Sequence, residues 1–100
     1  MPYQVLDEAA IKEELGRLGG WALAESGTAI SKEFAFRDFV EAFGFMTRCA
    51  LIAEKLNHHP DWSNSYSKVR VTLTTHAKKG LTDRDFALAR AMDEASGSRD

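Results

Sequence analysis

A single cysteine, Cys49, excludes an internal disulfide, and its place in an apolar helical run marks it as a small buried hydrophobe. Two prolines and seven glycines are too few for a disordered or fibrous chain. No apolar run approaches the ~20 residues of a membrane-spanning helix. Excess positive charge is absent too, since 13 Lys and Arg stand against 15 Asp and Glu for a net charge of −2. Nucleic-acid binding needs a clustered cationic face. The only adjacent basic pair here is Lys78-Lys79, read as part of a solvated turn. The N-terminal stretch MPYQVLDEAAIKEELG is amphipathic and charged and does not read as a signal peptide, so a soluble, cytoplasmic protein is expected. What is present, 100 residues with 44% of them apolar, suits one domain over residues 1–100 with one core. The tail, from about 95 to 100, is expected to fray.

Hydrophobic periodicity divides the chain into seven elements. Asp7 is placed to N-cap a first helix running to about Leu18, which Gly19-Gly20 stops. Trp21-Ala22-Leu23 reads as a short strand turned at Ser26-Gly27, and TAISKEFAF as a second, with Phe34 and Phe36 on its core face. Asp38 and Glu41 resemble a capping box that opens a long central helix reaching about His58, just before Pro60. On that helix Phe39, Ala42, Phe43, Met46, Ala50 and Ala53 form one apolar arc, taken as the core face. Phe45, Cys49, Ile52 and Leu56 form a second stripe, taken as the one a neighbour must cover. A short strand around Trp62 to Tyr66 and a half-buried one carrying Val69, Val71 and Leu73 follow. Thr82, with Asp85 at the capping-box position, opens the last helix, which turns Phe86, Ala89 and Met92 inward. The order αββαββα predicts an α+β sandwich, a four-stranded antiparallel sheet with helices packed on one face.

The stretch EKLNHHPDW sets two of the three histidines side by side at a helix end. Glu54 and His58 are four apart, so on a continuing helix they share a face and hydrogen-bond. A carboxylate so placed fixes the imidazole's tautomer. His76 follows the Val69–Leu73 strand, so all three rings could meet where the helix end abuts the sheet. Imidazoles, with unperturbed pKa values near ~6.5, suit proton transfer in either direction at neutral pH. The residues alone leave another reading open: His58 and His59 simply sit at a helix C-terminus, where cationic side chains are favourable. A metal held by Glu54, His58 and His76 would lack any HExxH, CxxC or His-x-His spacing. A nucleophile–His pair fails because Cys49 reads as buried and no serine occupies a nucleophile elbow.

Glu54-x-x-x-His58-His59-Pro60, with Trp62 two residues on and TTHAKKGLTDRD from Thr74 to Asp85, resembles the pterin-4a-carbinolamine dehydratase family. Phe36-Arg37-Asp38-Phe39 and the run from Ala42 to Leu56 add to the resemblance, which spans about Trp21 to Met92. Its most specific part is the Glu-x3-His-His-Pro motif with His76 placed 17 residues after His59. Asn57 departs from the pattern, since the animal proteins carry Asp there.

The resemblance implies a hydro-lyase that dehydrates 4a-hydroxy-tetrahydropterin, in tetrahydrobiopterin recycling linked to an aromatic amino-acid hydroxylase. It implies His59 and His76 as the acid–base pair and His58, steered by Glu54, as their positioning partner. No metal and no cofactor is needed. Asn57, Trp62, Thr74 and Thr75 become candidate pterin contacts, although Trp62 also suits a core or rim position and the threonines ordinary strand positions. A homodimer or homotetramer is implied as well. The rival class is an interaction module, because animal members also act as dimerisation cofactors of a homeodomain transcription factor.

Overall fold

Asp7 begins the first helix as its side chain implies. Its carboxylate accepts the backbone N–H of Ala10 at 2.9 Å, and α1 runs Glu8–Gly16. The remaining elements of the computed structural model, which describes residues 4–97, are β1 Ala22–Leu23, β2 Ile30–Ala35, α2 Phe39–Leu56, β3 Asp61–Ser65, β4 Lys68–Leu73 and α3 Asp83–Gly97. A single 3₁₀ turn, His76–Lys78, lies between β4 and α3. The four strands form one antiparallel sheet in the order β1-β2-β4-β3. The αββαββα order and its α+β class are therefore those the sequence predicts. α3 keeps its helical form through Gly97, where the sequence had the tail begin; residues 98–100 lie outside the described ones.

Strand alternation separates the two faces of the sheet. Ile30, Phe34, Val69, Val71 and Leu73 point inward and are buried. Outward, Arg70 meets Glu33 at 3.0 Å and Lys68 meets the same carboxylate at 4.0 Å. Lys32 has inward parity, yet it is not left unpaired. Its ammonium donates to Asp93 at 2.7 Å and to the Gly19 carbonyl at 2.8 Å, and lies 4.8 Å from the centre of the Phe34 ring. The Trp21 indole N–H donates to the same Asp93 carboxylate at 3.1 Å, so one acid ties β2 and the start of β1 to α3.

The roll of α2 differs from the reading of its sequence. The second stripe is the core face: Phe45 and Cys49 are fully buried, with Ile52 packed against them, and only Leu56 stays at the rim. The arc taken as the core face splits. Ala42 and Ala53 are buried and Met46 is partly buried, whereas Phe39, Phe43 and Ala50 face solvent. Both stripes are apolar, so periodicity alone does not choose between them. Aromatic packing does: Phe45 lies 4.7 Å from Phe34 and 4.9 Å from Phe36, ring centre to ring centre, and seats the helix on the sheet through that trio. The uncovered stripe is accordingly Phe39, Val40, Phe43 and Leu51.

Candidate functional site

α2 stops two residues earlier than expected, and that short difference rearranges the histidines. Asn57 adopts left-handed geometry, φ 54° and ψ 45°, directly after Leu56. Its N–H donates to the Glu54 carbonyl at 3.1 Å, and the His58 N–H reaches back to Ala53 at 3.0 Å. This is a Schellman-type ending, in which asparagine is one of the few non-glycine residues that sits comfortably. Its role in the fold thus accounts for Asn57 apart from any part in chemistry.

Because the helix turns off at Asn57, His58 does not lie above Glu54. The Glu54 carboxylate instead accepts from His59 Nε2 at 2.8 Å, with both side chains largely exposed. His58 points inward and donates from Nε2 to Asp85 at 2.5 Å. The His58 side chain is 8% exposed and Asp85 is fully buried. Asp85 also accepts from the Thr75 hydroxyl at 2.8 Å and from the Thr82 backbone N–H at 3.0 Å. The Thr75 oxygen in turn accepts from the Thr82 hydroxyl at 2.8 Å. A buried carboxylate with three donors, at the N-terminus of α3, is well compensated. The sequence marks Asp85 as a helix cap, and the structure makes the same carboxylate the anchor of an imidazole.

The third ring, His76, opens the 3₁₀ turn and donates from Nε2 to Asp61 at 3.1 Å. Its backbone is pinned by a bridge from the Thr75 N–H to the Gly80 carbonyl at 3.0 Å. Gly80 itself lies under Val5, where an added Cβ would come within 2.9 Å of a Val5 methyl. Asp61 was not marked by the sequence reading, since the motif drew attention to the histidines and to Trp62.

His58, His59 and His76 line one open depression of about 220 Å³ together with Asn57, Thr74, Thr75 and Ala77. Two larger hollows, about 380 Å³ beside α1 and about 250 Å³ on the outer sheet face, have no histidine in their walls. Of these three hollows, the smaller depression is the one that gathers imidazoles. Of the expected contacts, Trp62 is not in its wall; it is half-buried and packs against the core. The Thr74 and Thr75 hydroxyls are already committed, Thr74 to the Thr28 carbonyl at 2.5 Å and Thr75 to Asp85. Glu54 reaches the depression only through His59. Among the described residues no group of three or more His, Cys, Asp or Glu side chains converges as a ligand set for a metal. Cys49 is remote in character as well as place: burial pushes its thiol up to about 12 against a small opposing effect of Arg48. It is no nucleophile at neutral pH.

Known proteins resemble this chain in sequence and in fold. The sequence profile of the family described as Pterin 4 alpha carbinolamine dehydratase matches residues 4–95. A Sinorhizobium fredii protein named "Putative pterin-4-alpha-carbinolamine dehydratase" is 61% identical over 94 residues, 94% of this chain and 90% of that one. A Rhizobium rhizogenes protein of the same name is 58% identical over 99 residues, covering 99% of this chain and 98% of the other. The crystal structure of a transcriptional coactivator/pterin dehydratase from Brucella melitensis superimposes with a TM-score of 0.91 at 46% identity, over 94% of this chain and all of that one. A pterin dehydratase-like RuBisCO assembly factor of the alpha-carboxysome shares the fold at a TM-score of 0.69 and 23% identity, over 78% of this chain and 90% of that one. The chain belongs to the pterin-4-alpha-carbinolamine dehydratase family. No helix among the described residues is long and apolar enough to cross a membrane.

Proposed function

We propose that this chain is a hydro-lyase that dehydrates 4a-hydroxy-tetrahydropterin, of the tetrahydrobiopterin type, to quinonoid dihydropterin and water. The observation that carries this reading is the convergence of three imidazoles on one depression, each with a carboxylate on its Nε2. In the reaction the N5–H bond breaks and its electron pair becomes part of the C4a=N5 double bond. The C4a–O bond breaks in the same process, and the leaving oxygen takes up a proton and departs as water. One proton leaves nitrogen and one joins oxygen, so the step consumes neither oxidant nor reductant. Imidazoles that accept and deliver protons near neutral pH suit both transfers.

His59 and His76, the two exposed rings, take the acid–base roles. His58 holds the floor of the depression through Asp85, and Glu54 serves His59. Asn57 and the remaining atoms of Thr74 and Thr75 are the pterin contacts in this reading. Its setting would be the cytoplasmic recycling of pterin released by an aromatic amino-acid hydroxylase. Stopped-flow absorbance with freshly generated carbinolamine tests it: catalysed loss of the intermediate above the uncatalysed rate is expected, and an unchanged rate refutes the reading.

A second reading rests on a different observation, the uncovered apolar stripe of α2. A helix face of this kind suits association, and the similar Brucella melitensis structure is described as a coactivator as well as a dehydratase. A homodimer or homotetramer built on that stripe is the simplest form of it. A binding-only module would leave carbinolamine turnover at the uncatalysed rate, so the same assay separates the two readings.

A further inference from the structure

We propose that Asp61 is a positioning residue for His76, holding the ring by Nε2 so that Nδ1 is the nitrogen offered to the depression. This rests on the dehydratase reading for its catalytic consequence, though not for its geometry. All three imidazoles are held alike. His58, His59 and His76 each meet a carboxylate through Nε2, from Asp85, Glu54 and Asp61 respectively. A carboxylate only accepts, so Nε2 must carry the hydrogen and Nδ1 is the nitrogen that gains or gives up a proton. None of the three Nδ1 atoms has a protein partner among the described residues. The same atom therefore serves whether a given ring acts as base or as acid.

The three rings differ in what else holds them. Burial fixes His58, and its carboxylate is itself anchored by Thr75 and Thr82. The His76 side chain is 77% exposed, so packing does little to choose its rotamer. Its backbone is well anchored by the Thr75–Gly80 bridge and by the Lys79 N–H, which donates to the His76 carbonyl at 3.2 Å. The ring hangs from that anchor with Asp61 as its one hydrogen-bonding partner among the described residues. Asp61 is itself well placed to serve. It opens β3 directly after Pro60, whose ring fixes φ, and its backbone is registered against Thr72 in the β3–β4 ladder. Sheet register thus sets where the carboxylate stands, and the carboxylate sets where the ring points.

An exposed ion pair of this kind adds little to stability, which makes the test clean: Asp61→Ala should fold with an unchanged thermal midpoint. Two measurements then decide. In ¹³C,¹⁵N-labelled protein without substrate, three-bond couplings from backbone nitrogen and carbonyl to His76 Cγ report its χ1. They are expected to read a single rotamer in the native chain, an average in Asp61→Ala, and a single rotamer again in Asp61→Asn, whose amide oxygen can accept the same bond. Stopped-flow turnover should follow the same order. In Asp61→Ala kcat is expected to fall roughly 3- to 10-fold with KM within about twofold, short of the ~10²-fold scale of losing a proton-transfer group. Asp61→Asn should recover most of that loss. Couplings that stay at one rotamer in Asp61→Ala overturn the proposal, as does a full-rate Asp61→Ala enzyme. If the native chain turns over no carbinolamine while the couplings respond as expected, the dehydratase reading fails and the positioning of His76 stands.

Discussion

The His58–Asp85 pair and the His59 and His76 pairs occupy opposite limits of solvent exposure, and that contrast decides what each substitution should do. On the proposed dehydratase reading, removing an exposed imidazole is expected to cost turnover and little stability. His59→Ala and His76→Ala are each expected to lower kcat by roughly 10²-fold or more with the fold intact, while Glu54→Ala does less; near-native turnover in both histidine variants would displace the site. Asp85→Ala is a different experiment. It removes the acceptor for the buried His58 N–H, the Thr75 hydroxyl and the Thr82 backbone N–H at once. Stranded buried donors cost about 1–3 kcal/mol each, and part of that is regained by water entering from the open side. A loss of roughly 2–4 kcal/mol in urea unfolding is expected, and a loss below about 1 kcal/mol would deny the network its structural role. Much at this scale was legible in the sequence, because residue type limits chemistry: the three histidines, the buried cysteine and the capping acids stand out by type and position. The partnerships were not. Glu54 and His58 are correctly spaced for a helix, but one left-handed residue at Asn57 transfers the carboxylate to His59. Asp85 and Asp61 lie 27 and 15 residues from their histidines, a separation that no local pattern reveals.

Elements were read best where a cap, a turn residue and a periodic stripe agreed. Asp38 accepts the Glu41 N–H at 2.9 Å, and the Glu41 carboxylate reaches back to the Arg37 N–H at 3.0 Å, so the opening of α2 was legible to the residue. β4 is equally plain, with Val69, Val71 and Leu73 inward. The β3–β4 hairpin carries the strain the sequence does not advertise. Tyr66 lies at its tip with φ 52°, in left-handed geometry that costs a side chain with a Cβ roughly 1–2 kcal/mol. It is 66% exposed, so little packing offsets that cost. The turn is held from the flank, where the Asn64 side-chain amide donates to the Tyr66 and Lys68 carbonyls at 3.1 and 2.9 Å. Tyr66→Asn, which tolerates this backbone, should raise the urea midpoint by an amount worth about 0.5–1 kcal/mol. A destabilised Tyr66→Asn would mean that the ring makes a stabilising contact, for instance with another copy of the chain.

At the scale of the whole molecule, the sheet has one buried face and the helical layer has a surplus. α2 seats Phe45 and Cys49 on the core, and Phe39, Val40, Phe43 and Leu51 are left 47%, 77%, 55% and 70% exposed. The sequence announced two stripes and took that of Phe45, Cys49 and Ile52 for the uncovered one. The stripe left in water instead draws Phe39 and Phe43 from the supposed core arc and adds Val40 and Leu51. Nothing in a single helix says which apolar arc carries the better sheet contacts. The three-ring packing of Phe34, Phe36 and Phe45 settles that only in three dimensions. The correction changes the experiment. Ile52→Glu would have been read as an interface mutation, yet Ile52 is partly buried against the core, so its replacement by a carboxylate would destabilise the fold as well. Phe43→Glu is the informative variant. Phe43 lies 5.8 Å from Phe39, ring centre to ring centre, in the exposed stripe, and is not among the side chains packed against the core. Covering each large side chain of that stripe is worth roughly 1.5–3 kcal/mol, enough across four of them to hold a symmetric helix pair, in which the same patch meets itself. Sedimentation equilibrium at tens of micromolar should find the native chain above monomer mass and Phe43→Glu at or near it, with unchanged circular dichroism in the variant. A native chain that sediments as a strict monomer, or a Phe43→Glu chain that assembles as the native one does, would place the partner of α2 elsewhere.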